Sequence, residues 1–127
     1  MADEARVQVS VQVNDTNTNK SYQSDNTAYN EDITTPTGPS PGTVSATTAG
    51  VSVTFTGLST PGLCVLKNMD GTNYVEYGIW DGVTFHELGE LPPDNKPQVI
   101  KLSRNMTGFR LKANTATCLV LVEAFEA

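Results

Sequence analysis

The fold of this chain is decided between residues 62 and 78, where the sequence reads GLCVLKNMDGTNYVEYG. Two apolar, strand-like runs flank the dipeptide Asp70-Gly71. Glycine accepts a positive φ and aspartate tolerates one, so Asp-Gly between alternating runs is among the strongest hairpin signals. The stretch therefore predicts a β-hairpin, with one strand before the turn and one after it.

Strand signals continue through the carboxyl-terminal part of the chain. Val51, Val53 and Phe55 alternate with polar residues, which is the period of two typical of a half-buried strand. Asp81-Gly82 is a second turn signal, and no window shows helical periodicity. Short strands with turns between them predict an all-β protein, an antiparallel β-sandwich or jelly roll. The other strands of this series are expected at 63–67, 73–79, 83–88, 97–102, 108–112 and 117–125.

Residues 1–13 have the clearest strand pattern of all. Val7, Val9, Val11 and Val13 alternate strictly with polar residues. Because successive side chains of a strand point to opposite faces, the four valines share one apolar face.

The segment from residue 14 to residue 49 is rich in Thr, Asn, Pro and Gly. Its prolines argue against a central strand. We expect an extended polar arm or long loop, with edge strands near 20–24 and 43–47. The 127 residues suit one structural domain, made of an arm at 1–50 and a β-sandwich core at 51–127.

The run at residues 118–122, CLVLV, is apolar at every position. A strand of this kind is apolar on both of its faces, which is typical of a strand buried from both sides. We therefore expect a central strand. One face should lie on the core, and the other should be covered by a further layer or by another subunit.

Charge and hydropathy exclude several classes of partner. The formal net charge is −6, and the chain lacks the basic clusters that bind a phosphate backbone, so no nucleic-acid partner is expected. No apolar run approaches the ~20 residues of a membrane helix. The acidic start, without an apolar leader segment, predicts synthesis in the cytoplasm of the producing cell.

Cys64 and Cys118 both lie inside apolar runs. One interpretation is a pair of reduced, buried core cysteines. The other is a disulfide between adjacent strands. Neither residue is at ligand spacing from the single histidine, His86, so no zinc site is expected.

The sequence contains no motif for a phosphate-binding loop, a dinucleotide fold or a nucleophile elbow. His86 alternates with Phe85, and we expect it on the solvent-exposed face of a strand. We therefore predict a non-enzymatic protein without catalytic residues, cofactor or metal.

Two pairs of carboxylates offer an alternative to a protein without catalytic or metal-binding residues. Glu87 with Glu90, and Asp70 with Asp81 if the sheet brings their turns together, have the residue types of acid–base or calcium chemistry. The simpler interpretation is that the aspartates form turns and the glutamates are solvated.

The aromatic residues near the second turn signal have two interpretations. In a period of two, Tyr74 and Trp80 share one face, whereas Val75, Tyr77 and Ile79 share the other. We expect the second set to fill the core. Tyr74 and Trp80 then pack under a loop or at a subunit contact, or alternatively form an aromatic platform for a carbohydrate.

The run at 62–78 resembles a pattern in small structural proteins of tailed-phage virions. In that pattern an apolar strand ends in an Asn-x-Asp turn, here Asn68 to Asp70, and leads into Asn-Tyr-Val-Glu, here Asn73 to Glu76, and a glycine. A leucine-rich loop with Pro and Gly-Glu follows, and residues 88–93 carry these ingredients in altered order. Residues 51–127 fit the pattern, and the arm fits it in style.

The resemblance implies a structural β-sandwich subunit of a bacteriophage particle. We expect a capsid decoration, or cement, protein that bridges major capsid subunits as a homo-oligomer, a trimer. Tail, neck, baseplate and fibre positions are the alternatives within this class, and a carbohydrate-binding module is the alternative outside it. The expected interface residues are Val7, Val9, Val11, Tyr22, Tyr29, Tyr74 and Trp80.

Overall fold

The computed structural model of the chain describes residues 3–15, 20–23, 27–33 and 39–127. Within these ranges the chain forms β-strands joined by turns and loops, with no helix. The prediction of an all-β fold is therefore confirmed. The strands are β1 (Asp3–Val9), β2 (Gln12–Asp15), β3 (Lys20–Gln23), β4 (Thr27–Ile33), β5 (Ser40–Ala46), β6 (Val51–Ser52), β7 (Pro61–Asn68), β8 (Val75–Trp80), β9 (Phe85–Leu91), β10 (Pro97–Lys101), β11 (Phe109–Ala113) and β12 (Cys118–Glu126).

Two four-stranded antiparallel sheets form the body of the protein. One has the order β10-β7-β12-β5, and the other has the order β6-β11-β8-β9. This packing is consistent with the predicted β-sandwich, whereas the finer prediction of a jelly roll is not confirmed. The core between the sheets buries Ala46, Val53, Cys64, Leu66, Val75, Leu91, Leu102, Phe109, Leu111, Ala113, Cys118, Val120, Val122 and Ala124.

Strand β12 is central, as its apolar sequence predicts. It lies between β7 and β5, and Val120, Val122 and Ala124 alternate inward and are buried. Leu119, on the opposite face, is 47% exposed. The body of the chain therefore covers one face of this strand fully and leaves part of the other open.

The predicted hairpin across Asp70-Gly71 is wrong. Strand β7 belongs to one sheet and β8 to the other, so the segment crosses between the layers. Gly71 does not adopt the positive φ of a two-residue hairpin turn. Side chains shape the connection instead, because Asp70 Oδ2 accepts hydrogen bonds from the backbone N–H groups of Thr72 (2.9 Å) and Asn73 (2.6 Å).

Asn68 is the buried anchor of this crossing. Its Nδ2 group donates to the carbonyl oxygens of Asn73 (2.7 Å) and Leu91 (3.2 Å). Its Oδ1 atom accepts from the backbone N–H of Asp70 at 3.0 Å. The amide thus satisfies backbone groups that strand pairing leaves unpaired at the end of the sandwich.

The second turn signal does form a hairpin. Strands β8 and β9 pair antiparallel, with Trp80 opposite Phe85. Asp81 Oδ1 accepts from the N–H groups of Val83 (2.8 Å) and Thr84 (2.7 Å), and Gly82 has a φ of 101°. A residue with a Cβ is disfavoured at that φ, so the glycine is needed here.

The amino-terminal region is more regular than the expected arm. Strand β1 pairs with β4 and β2 pairs with β3, which makes a two-stranded antiparallel ribbon, defined here as strands β1 to β4. The continuous strand expected at 1–13 is interrupted at Ser10 and Val11. The edge strand expected near 20–24 is β3, and the one near 43–47 is β5.

Strand β5 lies on the arm side of the predicted boundary at residue 50, yet it pairs with β12 in the body. It is an edge strand, which agrees with the presence of Pro41. The strand expected from Val51 to Phe55 is shorter, because β6 spans two residues. The sandwich therefore begins with β5, and the ribbon precedes it.

Candidate functional site

The base of the ribbon lies on the body of the protein. Antiparallel pairing places Ala5 opposite Glu31 and Val7 opposite Tyr29, so these four residues share one face of the ribbon. Val7 is 7% exposed, although a two-stranded ribbon by itself leaves both of its faces open. Glu31 Oε1 forms an ion pair with Lys101 Nζ on β10. The face with Val7 therefore contacts the body near the end of β10.

Cover is lost farther along the same strand. Val9 is 48% exposed and Val13 is 53% exposed, whereas Val7 is buried. Val11 and Tyr29 are also exposed apolar residues. Of the predicted interface residues of the arm, Val7 is therefore buried at the base, Tyr29 opposite it is exposed, and Val9 and Val11 are exposed farther along the ribbon.

Tyr22, the remaining predicted interface residue of the arm, lies in β3. The backbone register places it opposite Val13. The description of side-chain burial does not extend to this residue.

A second exposed apolar surface lies on the outer face of the β10-β7-β12-β5 sheet. Val99 on β10 is opposite Val65 on β7, and both point away from the core. Leu121 and Leu119 lie on the same outer face along β12, where Glu123 is opposite Val65 and Lys67 is opposite Leu121, so two charged residues lie among the apolar ones. Val99 is 45% exposed, and Leu119 is exposed to a similar extent. We call Val65, Val99, Leu119 and Leu121 the outer patch.

The outer patch was missed among the predicted site residues. The apolar sequence of β12 was the available signal, since it places Leu119 and Leu121 on a face that needs cover. Val65 and Val99 could not be added from sequence, because their position beside β12 depends on the order of strands in the sheet.

Tyr74 and Trp80 do not form one platform. Tyr74 precedes β8 and Trp80 ends it, so ~3.3 Å per residue separates them by about 20 Å. The guanidinium carbon of Arg110 lies 4.1 Å from the centroid of the Trp80 ring. Arg110 in turn donates to the carbonyl oxygens of Ala49 and Gly50, both at 3.3 Å. One face of Trp80 is therefore covered by a cation–π contact and is not presented to a ligand.

The core assignment of the neighbouring aromatic residue is confirmed. Tyr77 packs against the core, with its ring 6.3 Å from that of Phe109. Gly89, opposite Tyr77, leaves the space for this ring, because a Cβ there would lie 2.5 Å from it. Val75 is fully buried beside it.

The structure separates one predicted pair of carboxylates and places the glutamates of the other on one outer face. Asp70 and Asp81 lie at opposite ends of β8, so the possible pairing of their turns is wrong. Glu76 lies opposite Glu90, and Glu87 is close to Glu76 on the same outer face. Burial raises the pKa of Glu76, and the hydrogen bond and negative charge of Glu87 raise it further.

Both turn aspartates are held in their ionised form. Backbone N–H groups of Asn73 and Thr72 lower the pKa of Asp70. The backbone N–H of Thr84, then the side chain of His86, lower the pKa of Asp81 to about 2. These shifts reflect turn-forming hydrogen bonds of the type expected for Asp-Gly.

His86 is a surface residue, as predicted. Its side chain is more than half exposed, and Nε2 lies 2.8 Å from Asp81 Oδ2. Both groups belong to one hairpin turn, so the contact links the first residue of the loop to the start of β9.

Cys64 and Cys118 are both buried and free. Their strands are adjacent, but the register places Cys64 opposite Ala124 and Cys118 opposite Ala46. The two thiols are therefore at different ends of β12, and the alternative of a disulfide is wrong. Burial raises the pKa of Cys64 to about 12, and it also raises the pKa of Cys118.

In residues 3–15, 20–23, 27–33 and 39–127 no group of three or more His, Cys, Asp or Glu side chains is arranged to hold a metal ion. The same part of the chain contains no helix that could span a membrane.

Comparisons with protein-family models, with curated proteins and with solved structures found no match to this chain.

Proposed function

We propose that this protein is a non-enzymatic structural subunit of a bacteriophage particle, and that it serves as a capsid decoration protein. The observation that carries the proposal is the ribbon, whose apolar face is anchored at Val7 and exposed at Val9 and Val13. A rigid sandwich that presents such a surface is suited to binding other protein subunits. The resemblance of residues 62–78 to phage virion proteins is the reason for proposing a bacteriophage particle as the assembly.

The residues of that resemblance have structural roles in this chain. Asn68 and Asp70 organise the connection between the two sheets, and Val75 lies in the core. Their hydrogen bonds are directed to backbone groups of this connection and to the carbonyl oxygen of Leu91 at the end of β9. This arrangement supports a structural role for the motif at residues 62–78.

Particle stabilisation would come from repeated weak contacts. Each apolar contact contributes roughly 25 cal/mol per Å² of buried apolar surface, before the entropy cost of association is subtracted. A homo-oligomer that bridges capsid subunits makes several such contacts at once, and multivalency then raises the overall affinity by orders of magnitude. We propose a homotrimer and the major capsid protein as the partners, with assembly on virions in the host cytoplasm.

The proposal is tested on purified phage particles from the host that carries the gene. Mass spectrometry should detect the chain at a fixed ratio to the major capsid protein, and gold-labelled antibody should mark the head in electron micrographs. Particles that lack the chain should lose integrity at a lower temperature. Label on the tail would replace the capsid position with a tail position, and absence from particles would overturn the proposal.

The ribbon's role has its own test. A variant that lacks residues 1–33 removes the ribbon and keeps β5, which pairs with β12 in the body. We expect this variant to keep its β-sheet circular dichroism and to lose binding to particles that lack the wild-type chain. Binding equal to that of the full chain would exclude the ribbon as the attachment element.

A further inference from the structure

We propose that the distal part of the ribbon of one copy lies on the outer patch of a second copy of this chain. The inference rests on the proposed function, because it names the partner of the exposed ribbon within a homo-oligomeric subunit. It defines which surface of each copy takes part in the contact.

The first support is the continuity of the ribbon's apolar face. Val7 and Val9 point to the same side of β1, but the body covers Val7 alone. Val13 lies six residues beyond Val7, and at ~3.3 Å per residue the ribbon extends about 20 Å past its last buried valine. The apolar face thus continues from the covered Val7 to the exposed Val9, and Val13 in β2 adds a further exposed valine beyond the interruption at Ser10 and Val11.

The second support is the sheet face on which the ribbon already lies. Leu63, opposite Lys101, points outward from β7 and is nevertheless buried, and Lys101 binds Glu31 of the ribbon. Val65 is the next residue on that face, and Val99 opposite it is exposed. The outer patch is therefore a direct continuation of a surface that accepts this ribbon.

A second copy is the occupant that these two surfaces specify. The exposed part of the ribbon and the outer patch belong to the same chain, and within one copy neither surface covers the other. One contact between copies removes both from water, which is favourable for apolar surface. The contact joins different surfaces on the two copies, so it is satisfied by a reciprocal exchange of ribbons between two copies or by repetition around a closed ring.

Cross-linking tests the contact between the ribbon and the outer patch directly. We would prepare Val9→Cys and Leu119→Cys separately, and treat each alone and the mixture with a short bifunctional maleimide. The native Cys64 and Cys118 are buried and do not compete. The expected result is a cross-linked dimer in the mixture and none with either variant alone. A dimer from Val9→Cys alone would indicate ribbon-to-ribbon contact, and no dimer in the mixture would indicate no contact; either result overturns the inference.

Light scattering after size exclusion tests the same contact without a cross-linker. The wild-type chain should exceed the monomer mass of 13.6 kDa. Val99→Asp and Leu119→Asp should reduce it to the monomer mass. The matched control is Val83→Asp, at a residue 82% exposed in the loop between β8 and β9, and it should leave the oligomer intact. A wild-type monomer at every concentration, or patch variants that behave like the control, would overturn the inference.

The two proposals fail in different ways. An oligomer that depends on Val9 and Leu119 but is absent from purified particles would refute the virion role and keep the ribbon contact. A chain that is present on particles but stays monomeric in solution and gives no cross-link would support the virion role and refute the ribbon contact. Circular dichroism of each variant confirms that a loss of oligomer is not a loss of fold.

Discussion

Lys101 on β10 and Glu31 on β4 form an ion pair that ties the ribbon to the outer face of the body. The pair closes the base of the ribbon beside the buried Val7. Both side chains keep partial contact with solvent, so the expected coupling is that of a surface pair, about 0.2–1 kcal/mol.

A double-mutant cycle with Glu31→Gln and Lys101→Gln measures this coupling. Each single change should increase hydrogen exchange at the β1 and β4 amides, because the base of the ribbon opens more often. The effect should shrink at high salt, since salt screens partly exposed charges. Lys96→Gln, at an exposed lysine before the opposite end of β10, is the control; if it has the same effect, the ion pair has no specific role.

Val7 and Val9 form a matched pair for testing how the base is packed. Val7→Ala removes buried methyl groups and should lower the free energy of unfolding, or of ribbon opening, by about 1–2 kcal/mol. Val9→Ala changes an exposed side chain and should stay within ~0.5 kcal/mol in the isolated chain. Urea denaturation and hydrogen exchange measure both. Equal effects would show that the base is not packed as described.

Asn68→Ala should be among the more damaging single substitutions in the body. It leaves the carbonyl oxygen of Leu91, which accepts a buried hydrogen bond, and the partly buried carbonyl oxygen of Asn73 without the donor from Asn68. Unsatisfied buried polar groups and lost hydrogen bonds together should cost about 2–3 kcal/mol of unfolding free energy. Chemical denaturation provides the measurement, with the exposed Asn105→Ala as the matched control. A stability equal to that of the control would exclude Asn68 as the anchor of the crossing.

Glu76→Gln should stabilise the protein at pH 7. The folded-state pKa of Glu76 is raised above its ordinary value of 4.5, so the folded state favours the protonated form. Its contribution to stability is complete below that ordinary pKa and is lost as the pH rises through the folded pKa. Removing the charge opposite Glu90 should therefore gain about 0.2–1 kcal/mol at pH 7. The gain should vanish at acid pH, and a pH-independent gain would assign it to another cause.

Asp81→Asn, in the hairpin of the same sheet, should change the stability at pH 7 in the opposite direction to Glu76→Gln. The pKa of Asp81 is lowered to about 2, so its stabilising contribution is present above its ordinary value of 3.8. That contribution is lost as the pH falls through the folded value. We expect Asp81→Asn to destabilise the chain at pH 7 and to match the wild type near pH 2. Thermal denaturation across this pH range distinguishes the stability change of Asp81→Asn from that of Glu76→Gln.

The two cysteines should be unreactive toward a thiol reagent in the native protein at pH 8. Both are buried, and burial raises the pKa of each thiol, so little thiolate is available. Both should react at once in denaturant, and no internal disulfide should form under mild oxidation. Rapid native labelling at either residue would contradict the burial of that strand.

Much of the body could be predicted from the chain itself. The strands around Leu66, Val75 and Val120 follow from apolar runs bounded by turn residues, because backbone pairing and one-sided burial both act over short segments. Tyr77 could be assigned to the core by its period-two relation to Val75. The outer patch could not be assembled in this way, since Val99 and Leu119 come from strands that are distant in sequence.

The sequence by itself determined most strand segments, the central position of β12 and the placement of both cysteines in apolar runs. The tertiary structure alone decided that Asp70-Gly71 joins two sheets, that Cys64 and Cys118 lie far apart, and that Val7 is covered whereas Val9 is exposed. The physical reason is that local patterns specify which faces are apolar. Which surface covers each face depends on contacts between distant strands, and these form only when the whole chain packs.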